Sequence, residues 1–437
     1  MGNDRVEKSE RQACSRRRNL ESQTQKSAER RFWLAQLDRE ERATLIATFS
    51  GWMLDGMDVM VYSFVLPALI VLWHITKAQA GWLGTSALLL SSLGGWAAGL
   101  AADRWGRVRV LQLTIVWFAV FTFLSGFTSS FEQLLVVRGL QGLGFGGEWA
   151  VGSVLIGERI RGHFRGRAVG TTQSGWAIGW GIAAVFYTLF FKLLPEAYAW
   201  RAMFWVGLLP ALLAFWIQRH VHEPELFQTH RARAAREPRA HFLRIFSPDL
   251  LRTTLLASLV ALGAQGGYYA VNTFLPLYLK LRGLSVISTG GYLLIVIAGS
   301  FAGYLTSAHL TDRIGRKPSL ILFAAGSFVA IAAYTVLPLG NSATLLLGFP
   351  LGFFPSGSFS PMGSFFTELF PTSLRGSGQG FSYNFGRAIG ALFPTMVGYF
   401  SARVALGYAI AVFAGCAYAI MVCAVLLLPE TRCRDLA

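Results

Sequence analysis

Four charged side chains stand where the surrounding sequence is apolar: Asp55 and Asp58 in "LDGMDVMVYSFVLPAL", Glu148 in "GFGGEWAVG" and Arg387 in "FSYNFGRAIG". At the centre of a bilayer each such charge costs about 2.5–3.5 kcal/mol on insertion scales, so it persists where it faces a cavity or a partner. A carboxyl in that position can load and release a proton as its surroundings change. An arginine stays charged and offers a planar, bidentate fork that suits a carboxylate.

Helical spacing groups these residues with polar and aromatic neighbours. Gly51, Asp55, Asp58 and Tyr62 recur at four, three and four residues, which is one stripe of a helix. Gln173, Trp176, Trp180 and Tyr187 form a second stripe; Gln265, Tyr268, Tyr269 and Asn272 a third; Tyr383, Asn384 and Arg387 a fourth, with Gly380. The candidate proton-coupling groups are therefore Asp55, Asp58 and Glu148. Arg387, Asn384, Tyr383, Gln173, Trp176, Gln265, Tyr268, Tyr269 and Asn272 are the candidate substrate contacts. This set points to an organic anion moved together with a proton.

The elements that must hold these residues are long apolar runs. The chain is 53% hydrophobic with 34 Phe and 13 Trp, and only 14% of its residues are charged; such a composition fits a membrane protein better than a soluble domain. About 20 residues are needed to cross ~30 Å of hydrocarbon. Twelve runs meet that length, near 43–71, 80–101, 108–130, 132–157, 168–193, 200–218, 253–279, 285–309, 318–339, 342–369, 378–401 and 404–428. Residues 1–31 hold no apolar core of a cleavable signal, so the amino terminus is expected to stay in the cytoplasm. Thirty-one of the 39 Lys and Arg then fall on one side of the membrane and six on the other, which puts both termini inside. The formal charge of +16 follows from that topology and gives no reason to invoke nucleic acid. Cys416 and Cys423 in the last run, with Cys14 and Cys433 in the ends, match neither a metal site nor a disulfide framework.

The chain repeats itself. "ADRWGRVRVL" (Asp103, Arg104, Gly106, Arg107) returns as "TDRIGRKPSL" (Asp312, Arg313, Gly315, Arg316), and "GERIRGHFRGRAVG" (Glu158, Arg165) returns as "TELFPTSLRGSGQG" (Glu368, Arg375). The repeat predicts an all-α membrane protein of twelve transmembrane helices in two pseudo-symmetric six-helix bundles. The expected divisions are a cytoplasmic tail over 1–42, one bundle over 43–219, a charged cytoplasmic connector over 220–250, a second bundle over 251–428 and a short tail over 429–437. At the cytoplasmic helix ends Asp103 and Asp312, near glycine and arginine, are expected to hold ion pairs that lock one conformation and release in another. The candidate gate comprises Asp103, Arg104, Gly106, Arg107, Arg138, Glu158, Asp312, Arg313, Arg316, Glu368 and Arg375.

Twelve spans in two halves, the D-R-x-G-R turn at Asp103 with its partial copy at Asp312, and Arg138-Gly139-Leu-Gln-Gly142 resemble the major facilitator superfamily over nearly the whole chain. That resemblance implies two bundles rocking around a midplane site lined by helices 1, 4, 7 and 10 and parts of 2, 5, 8 and 11, in a functional monomer of the inner membrane. The D-G-x-D of Asp55 and Asp58 resembles the first helix of the aromatic acid:proton symporters, whose motif is tied to transport. "GFGGEWAVGSVLIGE" and "HVHEPELF" are more similar to the sialate and metabolite:proton symporters. What these imply is proton-coupled uptake of an aromatic acid or its ring-cleavage product, of hydroxybenzoate, muconate or muconolactone type. A sialate or small monocarboxylate is the alternative. Drug or sugar transport has less support, since the fifth span has Gly175, Gly179 and Gly181 without the proline of efflux members. No cofactor or metal is expected, and no Ser/His/Asp, Cys/His or metal-ligand set suggests an enzyme.

"GLQGLGFGGEWAVG" also contains G-x-G-x-x-G, at Gly142, Gly144 and Gly147. A dinucleotide turn needs a strand before it and an acid about twenty positions on. Here the flanks read as one apolar helix and position 168 is Ala, so the glycines are expected to serve close helix packing.

Overall fold

Local caps set where the first two apolar runs become helices. A computed structural model describes residues 33–160, 162–221, 223, 242–284, 286–338, 340–371 and 374–431. Helix α1 (Arg39–Trp73) begins at a capping box: the Asp38 carboxylate accepts from the Glu41 amide at 2.8 Å and Glu41 returns the bond at 3.0 Å. This extends α1 four residues before the apolar pattern starts. Thr76 with Gln79 does the same for α2 (Lys77–Trp105). Then follow α3 (Arg107–Ser125), α4 (Phe131–Arg159), α5 (Gly162–Leu193) and α6, in which Glu196–Trp205 continues through a 3-10 turn into Leu209–His220. The third span stops at Ser125, short of the expected 130, because Arg201 of α6 holds the following turn by the carbonyls of Gly126 and Thr128 at 3.0 and 2.8 Å.

The second half repeats this order. Helix α7 is Pro248–Asn272 with a second piece Leu275–Leu281; α8 is Val286–Ile314; α9 is Arg316–Val336. Helix α10 is split into Asn341–Gly357 and Phe359–Leu369, α11 into Arg375–Gly390 and Leu392–Phe400, and α12 is Leu406–Leu427. Among the described residues, eight of these are long and apolar enough to cross a membrane by length and composition. The other four are α2 and α4, whose runs are diluted by glycine and polar residues, and the broken α10 and α11. The fold is that of twelve spans in two pseudo-symmetric six-helix bundles.

Glycine sets the closest approaches, and it does so symmetrically. A Cβ at Gly142 would collide with the Ala87 carbonyl and one at Gly146 with that of Ser91, while Gly94 meets Leu143 in return. In the other half Gly299 and Gly303 of α8 meet the carbonyls of Phe349 and Phe353 of α10. The glycines of the G-x-G-x-x-G string are thus helix contacts, as expected, with Gly144 and Gly147 turned to Phe118 and Thr114 of α3. Each half also closes α1 on α5, through Gly175 and Gly179, and α7 on α11, through Gly386 and Gly390.

Two seams join the halves. Helices α2 and α11 meet where Thr85 donates to the Ala391 carbonyl at 2.5 Å and Gly81 lies against Pro394. Helices α5 and α8 meet through Gly170 against Ala308 and Gly290 against Thr188. Between the seams lie α1, α4 and α7, and the buried charges stand on α1, α4 and the neighbouring α11. The amino-terminal residues 1–32, connector residues 224–241 and the final 432–437 lie outside the described residues.

Candidate functional site

Helix α1 passes through the centre of the molecule with most of its length buried, so both of its acids are shielded from bulk solvent; Asp55 and Asp58 are each 0% exposed. They enter different environments. Asp55 faces the Glu148 carboxyl of α4, with Asp58 and the Arg387 guanidinium within electrostatic reach. Neither Asp55 oxygen has a hydrogen-bond partner among the described residues, and the same holds for Glu148 Oε1. Glu148 can lie so close to α1 because position 51 is glycine, where a Cβ would strike Glu148 Oε1.

Arg387, 1% exposed, is brought to this acid pair by α11. Its Nε donates to Gln265 Oε1 at 3.1 Å, and Gln265 is fixed in turn by donating to the Tyr383 carbonyl at 3.0 Å. The guanidinium lies between two rings, 4.9 Å from the Phe145 centroid and 5.0 Å from that of Tyr383. Its Nη1 has no hydrogen-bond partner among the described residues. The arginine is therefore oriented from one edge and retains donors on another.

Aromatic residues enclose this charge cluster. Trp52 lies tilted against Trp149 at 4.6 Å and against Trp176 at 5.0 Å between ring centroids, and Trp149 lies 6.3 Å from Tyr383 across the two halves. Trp176 Nε1 donates to Tyr268 Oη at 2.7 Å, which ties α5 to α7. Asn272 donates to the Tyr268 carbonyl at 3.0 Å, and Tyr269, next to it, is buried. Asn384 lies at the α2 seam against Gly95 and donates to the Gly380 carbonyl, and Gln173 is buried on α5. Sequence reasoning missed Trp52, Phe145 and Trp149. Each falls within three residues of a buried acid, which is the signal that marks them.

Arg138, a candidate for the conformational gate, lies buried near the start of α4, seven residues after Phe131. Its Nη1 is 4.0 Å from Asp58 Oδ2 and donates to Gln141 Oε1 at 2.7 Å, and Gln141 donates to both Asp58 and Thr122 of α3. The guanidinium covers the Tyr62 ring at 4.7 Å, and Tyr62 donates to the Ala80 carbonyl. Arg138 is thus the partner of Asp58. The reason is helical phase, since Arg138 and Gln141 share the face of α4 that meets α1.

At the helix ends around the repeated turns, the side chains of Asp103, Arg104, Glu158, Asp312 and Arg375 lie outside the described residues, so the ion pairs expected of the two aspartates are not described. What is described is a bridge of Arg316 to Glu368 through two bonds, at 3.0 and 3.2 Å, with Thr431 also donating to Glu368 at 2.5 Å. Arg313 is exposed. Arg107 and Arg316 make matching bonds to the carbonyls of Ala102 and Thr311.

The turns contain a second device that their sequence does not announce. Gly106 and Gly315 both sit at φ 108° and neither supplies a side-chain cap to the helix it begins. Glu223, just past α6, caps α3 instead by accepting from the Arg107 and Val108 amides, both at 2.9 Å. Glu430, just past α12, caps α9 through the Arg316 and Lys317 amides at 3.0 Å. A carboxylate here satisfies two orphan donors and the helix dipole together. Glu223→Gln keeps one acceptor of the two and should destabilise the detergent-solubilised protein by about 1–3 kcal/mol. Glu430→Gln, whose bonds are exposed, should cost less. Unfolding midpoints of the two variants equal to that of the unmodified protein would refute the capping role.

Comparison with known proteins agrees with this fold. The sequence model of the Major Facilitator Superfamily matches residues 48–394. A probable 4-methylmuconolactone transporter of Cupriavidus pinatubonensis is 44% identical over 92% of this chain and 93% of its own length. A cis,cis-muconate transport protein of Acinetobacter baylyi is 29% identical over 86% of this chain and 91% of its own. Among solved structures, the xylose transporter XylE of E. coli in a partially occluded inward open conformation aligns with a TM-score of 0.72 at 20% identity, covering 91% of this chain and all of that one.

Proposed function

The chain belongs to the Major Facilitator Superfamily, and from that premise we propose that it takes up an organic acid anion together with protons. It is a multi-pass membrane transporter and not an enzyme. The proposed substrate is an aromatic acid or a ring-cleavage product of hydroxybenzoate, muconate or muconolactone type. The observation that carries this reading is Arg387: a fully buried guanidinium, oriented by Gln265, with Nη1 unpartnered among the described residues, beside Asp55 and Glu148 and inside a wall of rings. A carboxylate would meet Arg387, and a planar apolar body would lie against Trp52, Phe145 and Trp149. Similarity to the probable 4-methylmuconolactone transporter supports the same class.

Asp55, Asp58 and Glu148 are the proposed proton carriers, because each is buried and none is held by a full set of hydrogen bonds. Gln173, Trp176, Tyr268, Tyr269, Asn272, Tyr383 and Asn384 are proposed to line the substrate path. The Arg316 to Glu368 bridge is proposed to hold one conformational state of the cytoplasmic side. The distribution of Lys and Arg supports an inner-membrane location with both termini cytoplasmic, divided at the connector over 220–250, and the protein is proposed to act as a monomer.

Reconstitution into proteoliposomes tests the reading. With an inward acid gradient, labelled 4-hydroxybenzoate, cis,cis-muconate or 4-methylmuconolactone should accumulate above its external concentration, and a protonophore should collapse the accumulation. Equal uptake with and without the gradient, for every acid tried, would defeat proton coupling.

A further inference from the structure

We infer that Tyr268 selects among acids by donating its phenol proton to a neutral acceptor oxygen on the body of the substrate, of the ether, ester, lactone or ketone kind. This rests on the uptake reading above and names, within it, the feature of the substrate that is read besides its carboxylate.

The polarity of this hydroxyl is fixed by its neighbour. An indole nitrogen only donates, whereas a phenol can donate or accept. Trp176 Nε1 stands 2.7 Å from Tyr268 Oη, so the tyrosine is the acceptor in that bond and keeps its own proton to give. No acceptor among the described residues takes that proton. A hydroxyl that already accepts one bond is polarised and donates more strongly in a second. At 3% exposure, a donor left over in this way is costly until a ligand supplies the acceptor. The ring cannot easily turn the group aside, since it meets Trp176 at 6.5 Å, Tyr269 at 5.8 Å and Phe359 of α10 at 5.4 Å between centroids, each at a steep angle.

Helix α7 places this donor beside the Arg387 seat. Gln265, whose Oε1 accepts from Arg387 Nε at 3.1 Å, precedes Tyr268 by three residues, so their side chains leave one face of α7 with Cβ atoms about 5–6 Å apart. A second line of contacts runs through rings: Arg387 lies 4.9 Å from Phe145, and Phe145 lies 6.2 Å from Trp176. Tyr383, whose ring is 5.0 Å from the guanidinium, is also within electrostatic reach of Tyr268. An acid held by its carboxylate at Arg387 thus lays its body over Phe145 and Trp176 and brings its far end to Tyr268.

The surroundings choose the chemistry of that far end. A second carboxylate would add negative charge to a space that already holds Asp55 and Glu148 around Arg387, and one phenol is poor compensation for a buried charge. An aromatic amine, which chiefly donates, would meet a donor. A methyl group would leave the Tyr268 proton unpaired. A neutral acceptor oxygen completes the series from Trp176 through Tyr268 to the substrate, with every donor used.

Competition in proteoliposomes tests the preference, using whichever of labelled 4-hydroxybenzoate, cis,cis-muconate or 4-methylmuconolactone accumulates under an inward acid gradient. The unlabelled competitors are the 3- and 4-substituted methoxybenzoates, which carry an acceptor, methylbenzoates, which carry neither donor nor acceptor, and aminobenzoates, which carry chiefly a donor. At the better of the two ring positions the methoxybenzoate should compete about tenfold more strongly than the methylbenzoate, and the aminobenzoate no better than the methylbenzoate. Tyr268→Phe should bring the methoxy-to-methyl ratio to about one. Trp176→Phe leaves the Tyr268 oxygen free to accept and should improve the aminobenzoate several-fold against the methylbenzoate, a shift that lost packing alone would not produce. Should Tyr268→Phe take up no label, the order of the three competitors in the unmodified protein and the shift in Trp176→Phe decide the matter. Equal competition by methoxy and methyl acids at both positions, an aminobenzoate as strong as the methoxybenzoate, a ratio that survives Tyr268→Phe, or no gain for the aminobenzoate in Trp176→Phe would overturn the role of Tyr268. A protein that accumulates the labelled acid but shows one of those results keeps its uptake function and loses only this selectivity. One that accumulates no acid loses the uptake reading, and the selectivity with it.

Discussion

Arg387→Ala is expected to reduce proton-driven accumulation of the acid by about 100-fold or more, with the protein still folded. Removing one member of a buried, hydrogen-bonded charge contact costs about 2–5 kcal/mol, and every 1.4 kcal/mol is tenfold. The loss should exceed that of any ring substitution, because the rings supply area while Arg387 supplies the charge. Arg387→Lys separates the electrostatic part from the geometric part. Lysine preserves the charge but presents a compact ammonium in place of a planar fork, and it cannot lie flat between Phe145 and Tyr383 at 4.9 and 5.0 Å as the guanidinium does. It should recover a minor fraction of transport, with the loss expressed mainly in KM. Gln265→Leu removes the acceptor that orients Nε and should fall between the two. The measurement is initial uptake at several acid concentrations in proteoliposomes containing equal amounts of monodisperse protein. Uptake by Arg387→Ala within threefold of the unmodified protein would remove Arg387 from the substrate path.

Much of this site was legible in the sequence because membranes make charge conspicuous. Asp55, Asp58, Glu148 and Arg387 announce themselves by standing in apolar runs, and helical periodicity alone gathers Asp55 and Asp58 with Gly51 and Tyr62 on one stripe. The twelve runs and the 210-residue repeat likewise carry the architecture. Three things were not legible, each for a physical reason. Arg138 follows "EQLLVV" near the start of its run and shares its sequence neighbourhood with a glycine pattern, so its depth and its pairing with Asp58 emerge only once α1 and α4 are packed. Glu223 and Glu430 cap helices that begin 116 and 114 residues before them, a contact that no local spacing encodes. The aromatic wall was hidden by abundance: among 13 Trp and 34 Phe, composition gives no means of choosing Trp52, Phe145 and Trp149. Proximity to the buried acids does choose them, once the acids are taken as the origin of the search.

Asp55→Asn should separate accumulation from exchange. The substitution keeps the shape of the side chain and removes its ability to carry a proton, at a position that is 0% exposed and whose oxygens have no hydrogen-bond partner among the described residues. In the native protein Asp55 faces Glu148 with Arg387 nearby, so two acids and one cation occupy a common buried space. Two neighbouring carboxylates repel strongly at low dielectric, and a single proton between them leaves one negative charge to balance Arg387. Arrival of a substrate carboxylate adds another negative charge, which a second proton neutralises. In the proposed mechanism this ties movement of the anion to movement of protons. With Asn at position 55 the repulsion that makes the pair take up its second proton is gone and Glu148 stays ion-paired with Arg387, so accumulation driven by an imposed acid gradient should fall by about 100-fold, the equivalent of roughly 2.7 kcal/mol. Counterflow, in which labelled acid enters in exchange for unlabelled acid at equal pH on both sides, requires no net proton movement and should stay within about fivefold of the unmodified protein. Glu148→Gln should give the same split, since it removes the other half of the pair, and the double substitution should be no worse in accumulation than either alone, because both act on one proton store. Equal losses of accumulation and counterflow in the two single variants would assign the acids to substrate binding, and losses that multiply in the double variant would show two independent proton sites in place of a shared one.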